Sequence, residues 1–249
     1  MRYVADMMRT CLIIAGVVFL TAFLGIVALA ISFLGSSERT VHKIARIWGK
    51  GILFISGIRV RVKGMSFVDP DQSYIFMANH QSNFDIPVLL AHLKVQFRWL
   101  AKAELFKIPV FGKAMRKAGY ISIDRSDRKR AFLSLKEAAE TIQNGTSVLI
   151  FPEGTRSADG RLRSFKKGGF VLATEAGVPV VPVILYGTRS IMPRECLIIR
   201  PGDVTLRILP PVDTKDFHRK TKDALLEKIR KIMETAFHSG FRGDMACSN

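Results

Sequence analysis

Two short stretches of this chain carry side chains whose types and spacing suit acid–base chemistry beside an anion. Asn79-His80-Gln81-Ser82-Asn83-Phe84-Asp85 follows an apolar run and sets a histidine five residues ahead of an aspartate. Histidine titrates near neutrality, and a neighbouring carboxylate fixes its tautomer and stabilises the imidazolium as it forms. On a regular helix five residues rotate by roughly 500°, which leaves the two side chains about 140° apart. Pro87 resolves this, because proline is tolerated in a first helical turn and disfavours helix at the residue before it. The helix therefore starts near Asp85 or Ile86, and His80 to Phe84 forms an irregular turn that folds back. Taken alone, the pair reads more simply as a capping aspartate and a solvated loop histidine. No Gly-x-Ser-x-Gly elbow or activated cysteine lies nearby, so a base here acts on a hydroxyl of the substrate.

The second stretch, Phe151-Pro152-Glu153-Gly154-Thr155-Arg156-Ser157, again follows an apolar run. Gly154 lets backbone approach an anion, and the planar fork of Arg156 suits phosphate oxygens. Without a partner site it is a turn with an exposed arginine. Arg125, Lys102, Lys166 and Lys167 are further candidates for a basic pocket, though each alone is an ordinary surface charge. Lys166-Lys167-Gly168-Gly169 precedes a helix, which favours anions there. The two stretches and Gly119–Arg125 all end strands, where open α/β sheets gather ligands. Base, carboxylate and guanidinium together suggest acyl transfer onto a hydroxyl of a phosphate-bearing acceptor. Gly187-Thr188-Arg189-Ser190 repeats the type of Gly154-Thr155-Arg156-Ser157 but is too short to count as a repeat.

The elements that must position these groups read as a single α/β domain with a largely parallel sheet. Strands are predicted over 58–62, 74–78, 119–123, 147–151, 180–185 and 204–209, and helices over 86–93, 110–117, 129–143, 168–175 and 221–237. The runs at 147–151 and 180–185 are apolar on both faces, as expected of strands covered by helices on both sides. Pro182 argues against a central place for its strand, or marks a bulge. Phe106, Ile108, Val110 and Phe111 suit an acyl tunnel and ordinary core packing equally.

Lys and Arg number 38 against 21 Asp and Glu, a net charge of +17 that favours anionic partners without choosing among them. Aromatic and basic residues are little interleaved, so nucleic acid is not expected. Cys11, Cys196 and Cys247 are too few and too scattered for a disulfide framework or a metal site, so neither is expected. Cys11 to Leu34 is a run of 24 uncharged residues, about 36 Å as a helix against a hydrocarbon core of about 30 Å. Ala28-Leu29-Ala30 resembles a cleavage site, but the run exceeds a signal peptide's usual apolar region of about 7–15 residues, so a retained anchor is expected. Arg2 and Arg9 before the run and Arg39, Lys43, Arg46 and Lys50 after it place the remainder in the cytosol. Val41 to Ile58 mixes basic and apolar residues and is either an interfacial helix or a helix packed on the soluble domain. If interfacial, the two segments form a hairpin in one leaflet. The resulting division is a membrane anchor and interfacial helix over 1–57 and a catalytic domain over 58–249.

Four blocks in order, Asn79–Asp85, Gly119–Arg125, Phe151–Ser157 and Val178–Val183, resemble the glycerolipid acyltransferase family, in particular its bacterial 1-acylglycerol-3-phosphate acyltransferases. Lys102-Ala103-Glu104-Leu105 and Phe165-Lys166-Lys167-Gly168 resemble it as well. The resemblance implies His80 as general base oriented by Asp85. It implies an acceptor-phosphate subsite containing Arg125, Glu153, Gly154, Thr155, Arg156, Lys102 and Lys166. It implies a fatty acyl thioester of coenzyme A or acyl carrier protein as co-substrate, no cofactor, and the sn-2 hydroxyl of lysophosphatidic acid as acceptor. The product is phosphatidic acid, and the expected place is the cytosolic face of the inner membrane, among anionic lipids. Ser122 departs from the bulky apolar residue common in relatives, which bears on acyl-chain or acceptor preference. The residues also leave room for another lysolipid acceptor, such as a lysophospholipid or an ornithine-lipid precursor, and for a non-enzymatic basic membrane tether.

Overall fold

A computed structural model describes residues 2–124 and 127–246; Arg125 and Cys247 lie outside the described residues. Seven strands form one sheet: β1 (Ile58–Lys63), β2 (Ile75–Ala78), β3 (Phe97–Lys102), β4 (Ile121–Ile123), β5 (Ser147–Ile150), β6 (Val180–Tyr186) and β7 (Gly202–Ile208). Their order is β1-β7-β6-β2-β5-β3-β4. Every adjacent pair is parallel except β6 with β7. The fold is therefore α/β with a mostly parallel sheet flanked by helices.

The continuous apolar runs are explained by two cores. Alternate residues of a strand face opposite sides. On β2, Phe76 and Ala78 join one core while Ile75 and Met77 join the other. On β6, Val181, Val183 and Leu185 face the first core, and Val180, Ile184 and Tyr186 the second. The first core is covered by α1 (Arg2–Phe33), α2 (Glu38–Ile55), α3 (Asp85–His92) and α4 (Phe111–Lys117). The second is covered by α5 (Arg128–Gln143), α6 (Gly168–Ala176) and α8 (Lys222–Ala246). A short helix, α7 (Thr188–Ile191), follows β6.

One expectation is met in its second form, a bulge at Pro182, and two need correction. The strand containing Pro182 is interior, flanked by β2 and β7, and the proline sits at a slip in pairing. Val183 pairs with Ile208, whereas Val180 pairs with Val212, so the β7 side carries one extra residue where Pro182 has no N–H to donate. The Pro182 carbonyl still accepts from Leu209. β3 was not among the predicted strands, because its second residue, Arg98, is charged yet buried, bonded through Nε to Glu38 at 3.3 Å. The last helix runs nine residues past its predicted end, to Ala246.

The first 57 residues share the first core. Ile13 and Ala28 of α1 and Val41, Ile44, Ile52 and Leu53 of α2 are buried in it. Gly49 makes the approach of α2 to α3 possible, since a Cβ there would lie 2.9 Å from the Pro87 carbonyl oxygen. Polar ties add to the packing: Trp48 Nε1 donates to Thr21 Oγ1 at 2.9 Å, and Ile199 N–H to Thr10 Oγ1 at 3.1 Å. Thus α2 packs on the domain, while Lys43, Ile47, Lys50 and Phe54 line its exposed side. The outer side of α1 exposes Leu12, Val18, Phe19, Phe23 and Ile26.

Candidate active site

The site lies beyond the carboxyl ends of β2, β3 and β5. β2 is the middle strand of the sheet, so the residues that follow it have neighbours on both sides. Asn79 extends the pairing by side chain: its Nδ2 donates to Leu185 O at 3.0 Å, and its Oδ1 accepts from Leu185 N–H at 2.7 Å. Gln81 Nε2 donates to Gly160 O at 2.8 Å, Ser82 Oγ to Met192 O at 2.8 Å, and Ser157 N–H to His80 O at 2.8 Å. A turn without regular structure is thereby held at nearly every residue.

Within it, His80 Nδ1 and Asp85 Oδ2 are 2.7 Å apart. The same Oδ2 accepts from the N–H groups of Gln81 at 2.7 Å and Ser82 at 2.9 Å. Asp85 is fully buried at the first position of α3, which leaves its carboxylate under the turn. A carboxylate takes the imidazole Nδ1–H, so the neutral ring carries its free lone pair on Nε2. The ring lies flat on Phe151, centroids 3.9 Å apart, and Phe151 stacks in turn on Trp99 at 5.4 Å. That stack stops the imidazole from turning away.

His80 borders a cavity of about 510 Å³. Its apolar lining includes Leu24 and Ala28 of α1, Val41, Ile44 and Trp48 of α2, and Phe111 and Met115 of α4. Its polar lining includes Lys102, Gly154, Thr155, Arg156 and Arg194. Gly154 adopts φ +75°, a left-handed conformation that glycine takes without strain. Of the four tunnel candidates, Phe111 borders the cavity, Phe106 is in the core and Ile108 is exposed. Val110 is not among the lining residues.

Two residues expected in a phosphate subsite are placed elsewhere. Glu153 is 2% exposed and turned inward: Oε1 accepts from His80 N–H at 2.7 Å and Oε2 from Arg163 N–H at 2.8 Å. Burial foremost, and the nearby Asp85 charge, push its pKa up to about 7, against the pull of those two bonds. It braces the His80 turn from behind, with neither carboxylate oxygen free for another ligand. Lys166 is exposed and absent from the cavity wall; its backbone N–H is what contributes, donating to Pro152 O at 2.8 Å. Arg194 was not anticipated. It lies in a turn after α7, and only the adjacency of β6 to β2 brings it beside Arg156.

Comparison with known proteins places the chain in a family. The Acyltransferase family model matches residues 59–186, which include the His80 turn and the Gly154 turn. The chain belongs to the acyltransferase family. It is 38% identical over 197 residues to the chloroplastic 1-acyl-sn-glycerol-3-phosphate acyltransferase of Arabidopsis thaliana, covering 78% of this chain and 53% of that one. It is 32% identical over 216 residues to the human 1-acyl-sn-glycerol-3-phosphate acyltransferase alpha, covering 86% and 76%. The chain thus spans about half the length of the chloroplastic plant relatives and about three quarters of the mammalian ones. The crystal structure of the 1-acyl-sn-glycerophosphate acyltransferase PlsC of Thermotoga maritima superimposes with a TM-score of 0.83 at 31% identity, covering 96% of this chain and 97% of that one. That coverage includes the two N-terminal helices, so they are part of the shared acyltransferase fold.

Proposed function

We propose that this chain transfers a fatty acyl group from a thioester of coenzyme A or acyl carrier protein to the sn-2 hydroxyl of 1-acyl-glycerol-3-phosphate. The observation that carries the reading is the His80–Asp85 couple opening onto a cavity lined by both apolar and cationic side chains. His80 Nε2 takes the hydroxyl proton as the oxygen attacks the thioester carbonyl. Asp85 offsets the charge of the imidazolium so formed. The tetrahedral intermediate collapses by breaking the carbon–sulfur bond, and His80 returns the proton to the departing thiolate. The products are phosphatidic acid and a free thiol. Lys102, Gly154, Thr155 and Arg156 hold the acceptor phosphate; Asp85 and Glu153 act from behind the turn.

The chain docks on the cytosolic face of the membrane by the outer side of α1. Contacts from Thr10 to Ala28 tie about 27 Å of that helix to the domain, at 1.5 Å per residue. A helix held along that length lies in one leaflet while the domain stays in water, which favours the embedded hairpin over a full crossing.

The test is protein in phospholipid vesicles with radiolabelled lysophosphatidic acid and either thioester. We expect labelled phosphatidic acid, with turnover lowered about 10²- to 10⁴-fold in His80→Ala, the usual worth of a general base. No product from either donor, or product only from acceptors without a phosphomonoester, removes the proposal.

A further inference from the structure

Arg194 has no role in the chemistry above, yet it borders the same cavity as His80, and its Nη1 donates to Arg156 O at 3.1 Å. The segment that carries it is tied down at several points. Ser82 Oγ donates to Met192 O, Cys196 N–H closes a tight turn on Pro193 O at 3.2 Å, and Arg200 N–H donates to Ile191 O at 2.9 Å. The guanidinium is half-buried, and one of its five N–H donors is used for Arg156. Among the described residues, no carboxylate forms an ion pair with Lys102, Arg156 or Arg194. Three cations around one cavity without an acidic partner give it a positive potential that attracts an anion.

We propose that Arg194 is a specificity-determining residue: it grips the acceptor's phosphate beside Arg156 and makes the site select a phosphomonoester over a phosphodiester. The inference rests on the acyltransferase reading for its acceptor. A phosphomonoester carries about −1.5 to −2 charges at pH 7, whereas a diester carries one. Two cations suffice for the diester, and the third distinguishes the dianion. The planar fork also explains why an arginine stands here, since it holds the Arg156 carbonyl and a phosphate oxygen at once.

The test uses the full chain in phosphatidylcholine vesicles, as wild type, Arg194→Gln and Arg194→Lys. The ligands are 1-acyl-glycerol-3-phosphate and its methyl phosphodiester. Binding is read from tryptophan fluorescence, because both tryptophans of the chain, Trp48 and Trp99, border the cavity. Arg194→Gln, which keeps an N–H for the Arg156 carbonyl but no charge, should weaken monoester binding about 10- to 100-fold, the worth of one charged hydrogen bond. It should weaken diester binding less than about threefold, with an unchanged melting temperature. Arg194→Lys should recover most of the difference. Equal losses on both ligands in Arg194→Gln, or no loss on either, would overturn the proposal and leave Arg194 as a buttress of the Arg156 turn. Fluorescence reports binding apart from turnover, so a protein that binds the monoester without acylating it would sink the proposed reaction and not this assignment.

Discussion

Replacing Asp85 by asparagine separates the carboxylate's charge from its hydrogen bonds, because the surroundings dictate how the amide must sit. Oδ2 accepts from His80 Nδ1, Gln81 N–H and Ser82 N–H, while Oδ1 is buried with no hydrogen-bond partner among the described residues. The amide oxygen must take the Oδ2 position, since an NH2 group there would face two backbone donors. The NH2 group then occupies the Oδ1 position with nothing to accept from it. The wild type already buries an unpaired Oδ1 there, so the exchange trades one unsatisfied atom for another and should move the melting temperature by less than about 4 °C, the worth of about 1 kcal/mol. The three bonds to oxygen survive, so the loss in catalysis is the loss of the charge facing the imidazolium. We expect kcat to fall about 10²- to 10⁴-fold, or about 2.7–5.4 kcal/mol of transition-state stabilisation. KM for both substrates should stay within about threefold, less than the worth of one net hydrogen bond, because Asp85 does not border the cavity. The assay is saturation kinetics with lysophosphatidic acid and acyl-coenzyme A, alongside melting curves in the same vesicles. A folded Asp85→Asn protein with kcat close to wild type would refute the argument that the carboxylate works through charge.

Glu153 makes a pH-dependent prediction. Its pKa in the folded protein is raised to about 7 from an ordinary value of 4.5, so the folded state keeps a proton that the unfolded chain releases across that window. Stability from this group is therefore greatest below pH 4.5, falls as pH rises to about 7 by about 3 kcal/mol, and is flat above. Urea denaturation at pH 5 and pH 8 should show that much less pH dependence in Glu153→Gln, and equal slopes in the two proteins would refute it. For the membrane surface, Phe19→Ser with Phe23→Ser should weaken vesicle partitioning about 10²- to 10⁴-fold, from about 1.5–3 kcal/mol per buried phenylalanine. Sedimentation with vesicles measures it; unchanged partitioning would show that this side of α1 does not face lipid.

Much of the fold was legible because the apolar runs of β2, β5 and β6 have a simple cause, burial on both faces of the sheet. The turn between His80 and Asp85 was legible from Pro87, which restricts where α3 begins. What escaped was set by distant partners. Arg98 makes β3 look too polar for an inner strand until Glu38, sixty positions earlier, is placed beside it. Glu153 looked like part of an anion site because its neighbours Gly154 and Arg156 are; its direction depends on the backbone of His80, which only the pairing of β2 with β5 brings within reach. Gly187-Thr188-Arg189-Ser190, too short to count as a repeat, carries an arginine that braces the loop after β5. Arg189 Nη2 holds Ala158 O at 2.9 Å, as Arg194 holds Arg156 O.

The division of the chain into an anchor and a catalytic domain also changes meaning. Thr21, Leu24 and Ala28 of α1 and Val41, Ile44 and Trp48 of α2 line the same cavity as His80. Removing residues 1–57 would take Ile13, Ala28, Val41, Ile44, Ile52 and Leu53 out of the first core and uncover part of the cavity wall. On the proposed reaction this arrangement has a physical reason. The acceptor's acyl chain, leaving the leaflet, and the donor's, entering the site, must both avoid bulk water, at about 0.8 kcal/mol per exposed CH2 group. A helix pair whose outer side faces lipid and whose inner side lines the site gives them an apolar path throughout. Membrane attachment and substrate entry are then one structural feature, and changes to α1 that weaken the first should impair the second in proportion.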